Sequence, residues 1–326
     1  MDKQTLISII EGNRKSRLIT YITGDRQPFV TRIAEDTIPI FNHHLENFVP
    51  TEKVSLFLYT RGGDLVTPLK LVKLIKSYCK EFEVLIPYRA HSAGTLIALG
   101  ADKILMGRLA ELSPVDPTTM HPFNPPDPSF PQRKLEISAE DLNSYFLLAK
   151  EMAKIKEEQI NEPFKYLAER IHPLSLGNAY RVYRMGKMVA EKLLELHMNR
   201  ETEEKKIERI IREITGEILC IHGYPINRDE AKRMGLKVEI PEKNLEKNLW
   251  DLYEIYAKEM KLDVPFHPSE FLGDKEIAEV KYTGAYIESY NLSDQFIFRG
   301  KALKTIRDNK PSIEMNIDSQ KWEKIK

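Results

Sequence analysis

The first 110 or so positions alternate short β-branched and aromatic runs with stretches whose apolar residues recur every three or four positions. That alternation is the signature of strand–helix units on a largely parallel sheet. The spacing predicts strands at Arg17–Thr23, Val54–Tyr59, Glu83–Pro87 and Lys103–Met106. Between them it predicts helices over Ile33–Phe48 and Val66–Cys79. In the second, Val66, Leu69, Val72, Ile75 and Cys79 make one apolar face.

Residues 113–135 break the pattern. Seven prolines in this stretch exclude a helix or a central strand, so it reads as a crossing loop or an arm. Helical periodicity resumes in ISAEDLNSYFLLAKEMAKIKEEQ, where Ser138 can cap and Asp141 sits in an acidic first turn. A second helix follows HPLSLGN, with Ala179, Val182, Tyr183, Gly186, Val189, Ala190, Leu193 and Leu194 on one stripe that reads as a packing face. The charge run Asn199–Glu213 reads as a solvated helix, Ile218–Ile221 as a short strand, Arg228–Met234 as a helix and Leu236–Ile240 as a strand edge. A last helix is predicted at Leu245–Met260. The chain is thus divided into a main domain, 1–245, carrying a helical arm at about 136–215, and a helical C-terminal extension, 246–326.

Composition narrows the function. Lys plus Arg and Asp plus Glu both number 49, so no overall field attracts nucleic acid or anionic lipid. Cys79 and Cys220 sit in apolar contexts without a CxxC or Cys/His cluster, as free thiols do in a reducing compartment. The opening MDKQTLISIIEGNRKSR is a poor signal peptide, and no apolar run approaches the roughly 18 residues that span a bilayer. A cytoplasmic protein is expected, with no membrane span, metal or cofactor.

Two motifs carry chemistry. Thr60-Arg61-Gly62-Gly63-Asp64 joins a strand to a helix, and paired glycines there leave backbone N–H groups uncovered, with the field of the following helix added. Such a turn can hold an oxyanion or a phosphate; with no GxGxxG and no Walker lysine, a nucleotide is disfavoured. His91-Ser92-Ala93-Gly94-Thr95 begins a second helix after the strand FEVLIP, and on this motif alone Ser92 is an N-cap. If both turns follow neighbouring parallel strands, they open at the same sheet edge, where the N–H groups of Gly63 and Ala93 could converge on a carbonyl attacked by Ser92.

The segments YTRGGD, HSAGTLIALGADKILMG, AELSPVDP and EAKRMGLKVE together resemble the ClpP-class serine peptidases, and within them the serine dehydrogenase proteinase (SDH) family. The resemblance covers roughly residues 50–240. It implies an α/β ClpP/crotonase-like ββα-spiral, homo-oligomerisation and peptide-bond hydrolysis without metal. It also implies a nucleophile role for Ser92 and oxyanion roles for Gly62 and Gly63. Relatives place a histidine where this chain reads SPVDP and a carboxylate just before YPINRDEA; here Asp116 occupies the first slot and His222 adjoins the second. In other relatives a lysine opens the helix where this chain has SAEDLNSY, which offers acids instead. The triad is therefore expected with its partners exchanged, His222 as base and Asp116 as orienter, since chain order is irrelevant to the geometry. His121, His172 and Lys134 are the alternative bases. The rival functions are a crotonase-type acyl-thioester enzyme, using the same oxyanion turns, and an inactive scaffold of ClpP fold.

Overall fold

The computed structural model describes residues 1–48, 51–215, 223–307 and 310–325. The elements run α1 (Lys3–Arg14), β1 (Arg17–Thr23), α2 (Ile38–Glu46), β2 (Lys53–Tyr59), α3 (Thr67–Tyr78), β3 (Glu81–Ile86), β4 (Arg89–Ala90), α4 (Ala93–Leu99), β5 (Lys103–Met106), β6 (Glu111–Leu112) and β7 (Thr118–Thr119). There follow β8 (Ile137–Ser138), α5 (Ala139–Glu151), α6 (Asn161–Arg170), α7 (Pro173–Leu194), α8 (Arg200–Ile214), β9 (Ile226–Asn227), α9 (Arg228–Met234) and β10 (Val238–Glu239). The chain closes with α10 (Lys243–Glu259), α11 (Ser269–Leu272), β11 (Ile277–Ser289), β12 (Leu292–Arg307) and β13 (Lys310–Ile325).

One sheet of eight strands organises these parts, in the order β10-β5-β3-β2-β1-β11-β12-β13. The five strands from β10 to β1 are parallel, and β11 to β13 are added antiparallel. The parallel strands are apolar almost without interruption because both of their faces are covered. Ile19, Tyr21, Val54, Leu56 and Leu58 pack toward α2, α3, α4 and α7, while Leu18, Ile22, Phe57 and Tyr59 pack toward α1 and α10.

The four expected strands form, shifted by no more than two residues at either end. The helix expected over Ile33–Phe48 begins later, at Ile38, because Ile33 is extended and pairs with Gly63. The helix read over residues 137–159 stops early, at Glu151, and α6, which the sequence reading did not give, follows from Asn161. The charge run is not wholly solvated, since Ile207, Ile210 and Ile214 of α8 are buried in the main core. The strand expected at Ile218–Ile221 lies outside the described residues. Beyond α10 the C-terminal extension departs from the helical expectation. It is mostly a three-stranded meander whose first strand pairs with β1 and so extends the main sheet.

Candidate active site

β2 and β3 are parallel neighbours, and the turns that follow them meet. Thr60 and Ala90 pair in parallel, with the Thr60 N–H donating to Arg89 O at 2.9 Å and the His91 N–H to Thr60 O at 3.1 Å. The backbone thus carries the Gly-Gly turn to Ser92. A Cβ on Gly62 would stand 2.7 Å from Ser92 Cβ and 3.2 Å from Ser92 Oγ, and Gly62 has φ +112°, so glycine is required there on both counts. Gly63 touches the other side of the cleft: a Cβ on it would lie 2.1 Å from Ile33 O. The Ile33 N–H donates to Gly62 O at 2.9 Å and the Asp64 N–H to Ile33 O at 2.8 Å, holding residues 30–33 alongside the turn.

Ser92 has φ 51° and ψ −111°, a conformation that costs a non-glycine residue on the order of 1–3 kcal/mol. Its side chain caps no N–H of α4, so the bland N-cap reading fails. The strain is held by a polar clasp under the turn. The Ser92 N–H donates to Ser113 Oγ at 2.9 Å, and Ser113 Oγ donates to Pro114 O at 3.0 Å. Thr95 Oγ1 lies 2.9 Å from both Ala90 O and Ser113 O. Sequence reasoning missed Ser113 and Thr95, although the Ser-Pro pair after β6 marks a backbone position with an extended, fixed conformation.

The Gly62 N–H donates to Thr60 Oγ1 at 3.0 Å. Of the donors expected to form the oxyanion hole, Gly63 and Ala93 keep N–H groups without a hydrogen-bond partner among the described residues. Gly62 contributes its lack of a side chain.

Ser92 opens on a cleft of about 750 Å³, lined also by Arg32, Arg61, Gly62, Gly63, Asp64, Asp116, Glu136, Val182 and Met185. Asp116 is in the cleft as expected. It accepts from Ser138 Oγ at 2.8 and 2.9 Å and from the Glu140 N–H at 3.3 Å, tying the loop to the start of α5. His222, its expected partner, lies outside the described residues, as does Cys220. No histidine or lysine is among the described residues that line the cleft. His172 caps α7 through its Nδ1 and stacks on Phe123 at 4.2 Å, with His121 on the same ring at 5.5 Å. Val182, which lines the cleft, lies ten residues along α7 from His172, about 15 Å at 1.5 Å per residue. Lys134 is exposed and pairs with Pro126 across the loop.

His91, next to the nucleophile, turns away from the cleft, and its Nε2 lies 3.1 Å from Glu111 Oε1. Burial pushes its pKa down to about 4, with Arg61 and Arg89 acting in the same direction and Glu111 opposing. It is neutral at neutral pH and anchors the residue before Ser92 to β6. Asp64 is held below the usual carboxylate range. Burial would raise it, but hydrogen bonds from Thr67 and Val66 outweigh that as Asp64 caps α3. The Cys79 thiol is pushed up by burial to about 11, so the thiolate is disfavoured at neutral pH. Among the described residues, no three His, Cys, Asp or Glu side chains gather as metal ligands, and no helix is long and apolar enough to cross a membrane.

A parallel α/β sheet whose adjoining turns present a strained serine and a Gly-Gly backbone defines a ClpP-like protein. The profile of the ClpP-like SDH-type serine proteinases matches residues 1–171, and the chain belongs to that family. It is similar to two uncharacterized proteins of Methanocaldococcus jannaschii. One is 29% identical over 65% of this chain and 62% of its own length, the other 25% identical over 64% and 58%. The chain thus spans about three fifths of the length of these relatives. Among solved structures it is similar to the 1510-N membrane-bound stomatin-specific protease in complex with a substrate peptide, with 14% identity, 65% and 73% coverage and a TM-score of 0.38. It is also similar to the ClpP catalytic domain of Plasmodium falciparum, with 12% identity, 74% and 92% coverage and a TM-score of 0.37.

Proposed function

We propose that this protein is a serine endopeptidase acting on exposed or unfolded protein segments, with Ser92 as nucleophile. The observation that carries the reading is the positive-φ turn at Ser92, held against Gly62 at the floor of the cleft. A strained strand-to-helix turn projects a nucleophile where a substrate carbonyl can reach it. Ser92 Oγ attacks that carbonyl and gives its proton to a base; the oxyanion is held by the N–H groups of Gly63 and Ala93. The C–N bond then breaks, the amine leaves with the proton from the base, and water hydrolyses the acyl-enzyme. His222 is the proposed base and Asp116, which lines the cleft, its proposed orienter. The active form is proposed to be a homo-oligomer.

The test is Ser92 phosphonylation by a fluorophosphonate, with loss of fluoride, in wild type, Ser92→Ala, His222→Ala, Asp116→Asn, His121→Ala, His172→Ala and Lys134→Ala. The expected result is no labelling in Ser92→Ala, a loss of several orders of magnitude in His222→Ala and a steep fall in Asp116→Asn. The other three are expected to react at the wild-type rate. Wild-type labelling in His222→Ala would overturn the exchanged triad while leaving Ser92 as nucleophile. A crotonase or a scaffold would leave Ser92 unmodified.

A further inference from the structure

Arg32 stands apart from every other charged side chain that lines the Ser92 cleft. Asp25 accepts from Arg61 Nε at 2.6 Å and from the Tyr59 hydroxyl at 3.3 Å. Asp64 caps α3, Asp116 holds Ser138, and Glu136 accepts from Thr118 Oγ1 at 2.8 Å. Each of these charges has a partner within the molecule. Arg32 has no hydrogen bond and no ion pair among the described residues, and it is exposed on the cleft side.

Its placement is fixed. Ile33 is bound on both sides to the oxyanion turn, and Gly63 is in contact with the Ile33 backbone. The side chains of residues 30–33 alternate: Thr31 and Ile33 are buried, while Val30 and Arg32 line the cleft. The guanidinium is therefore carried by a short stretch of rigid backbone, one residue from the turn where the scissile carbonyl would sit. A guanidinium is always charged and offers a fork of donors that matches a carboxylate.

We propose that Arg32 is the specificity-determining residue of this cleft and that it recognises a substrate carboxylate beside the scissile bond. The inference rests on Ser92 being the nucleophile. The carboxylate comes either from an aspartate or glutamate side chain or from the substrate's own C-terminus, and both present the same group to Arg32. A charge-assisted pair of this kind corresponds to a preference of about 10- to 100-fold.

The experiment compares second-order rates of Ser92 phosphonylation by peptidyl phosphonate esters that differ in one group. One pair carries glutamate or glutamine next to the phosphonate, with the far end amidated. A second pair has no acidic side chain and ends in a free carboxylate or its amide. In wild type, one acidic probe is expected to react about 10- to 100-fold faster than its neutral twin, and which pair shows the gap identifies the source of the carboxylate. Arg32→Gln is expected to collapse that ratio to near one, Arg32→Lys to keep part of it, and Arg32→Glu to invert it. Equal rates within both pairs in wild type, or a ratio that survives Arg32→Gln, would overturn the role of Arg32 while Ser92 stays labelled. Failure of every probe to modify Ser92 would instead overturn the nucleophile assignment, and this inference with it.

Discussion

At the scale of the residue, the site depends on what is missing at position 62 as much as on what is present at position 92. Gly62→Ala puts a methyl group 2.7 Å from Ser92 Cβ on backbone at φ +112°. The variant is expected to lose about 1–3 kcal/mol of stability. The rate of Ser92 phosphonylation should fall by far more than that stability loss explains, because the two turns are forced apart. Stability comes from urea unfolding and the labelling rate from fluorophosphonate kinetics. A variant labelled at the wild-type rate would show that the close approach of Gly62 has no part in the chemistry. Ser92 and the two glycines were legible because their residue types, their order and their position after apolar strands are local facts. The clasp was not. Ser113 reaches the Ser92 N–H across 21 positions, and the partnerless state of Arg32 exists only once every neighbouring charge has found its own partner.

At the scale of the element, strands and helices buried on a regular face were legible and those defined by pairing were not. β1, β2, β3, β5 and α3 announce themselves by their apolar runs and period. By contrast β12 and β13 carry charged and polar side chains at half or more of their positions, and β11 alternates over only a short part of its 13 residues, from Ala278 to Tyr282. What sets them is antiparallel pairing, β11 onto β1, β12 onto β11 and β13 onto β12. The junction between this meander and the main domain includes a buried polar contact at α2. His44 Nδ1 lies 2.7 Å from Ser289 Oγ, and its Nε2 lies 3.0 Å from Asp294 Oδ2. His44→Ala leaves both buried groups without their partner, at a cost of about 1–3 kcal/mol each. The expected outcome is a lower urea midpoint with an unchanged slope, which a variant of wild-type midpoint would contradict. The stretch read as a helical arm, about 136–215, holds α5 to α8, and part of its outer face is apolar. Leu148, Phe164, Leu174 and Tyr180 are each more than half exposed. A second copy of the chain covering this face is the proposed reason, and light scattering at micromolar concentration is expected to show an oligomer. A monodisperse species near 38 kDa would contradict it.

At the scale of the whole molecule, three of the described histidines, His44 buried and His91 and His197 largely so, shape the response to acid. Burial holds His44, His91 and His197 below their ordinary value, His91 at about 4. Their folded forms resist protonation, so the unfolded chain takes up protons first as the pH falls below about 6.5. Stability is therefore fully present above that pH and is lost as the pH falls toward 4. Below about pH 4.5 the loss steepens. Burial would raise the Glu83 carboxyl, but bonds from Arg14, Lys53 and Ser55 hold it lower, and that contribution disappears as it is protonated. Urea midpoints flat between pH 7 and 4 would contradict this. The central claim, that one serine on a sheet edge does the chemistry, is tested most directly by intact-mass and peptide-level mass spectrometry after treatment with a fluorophosphonate. The account predicts one adduct per chain, located at Ser92, absent from Ser92→Ala and absent from urea-unfolded wild type. No adduct on the folded protein, or an adduct that persists in Ser92→Ala, would contradict it.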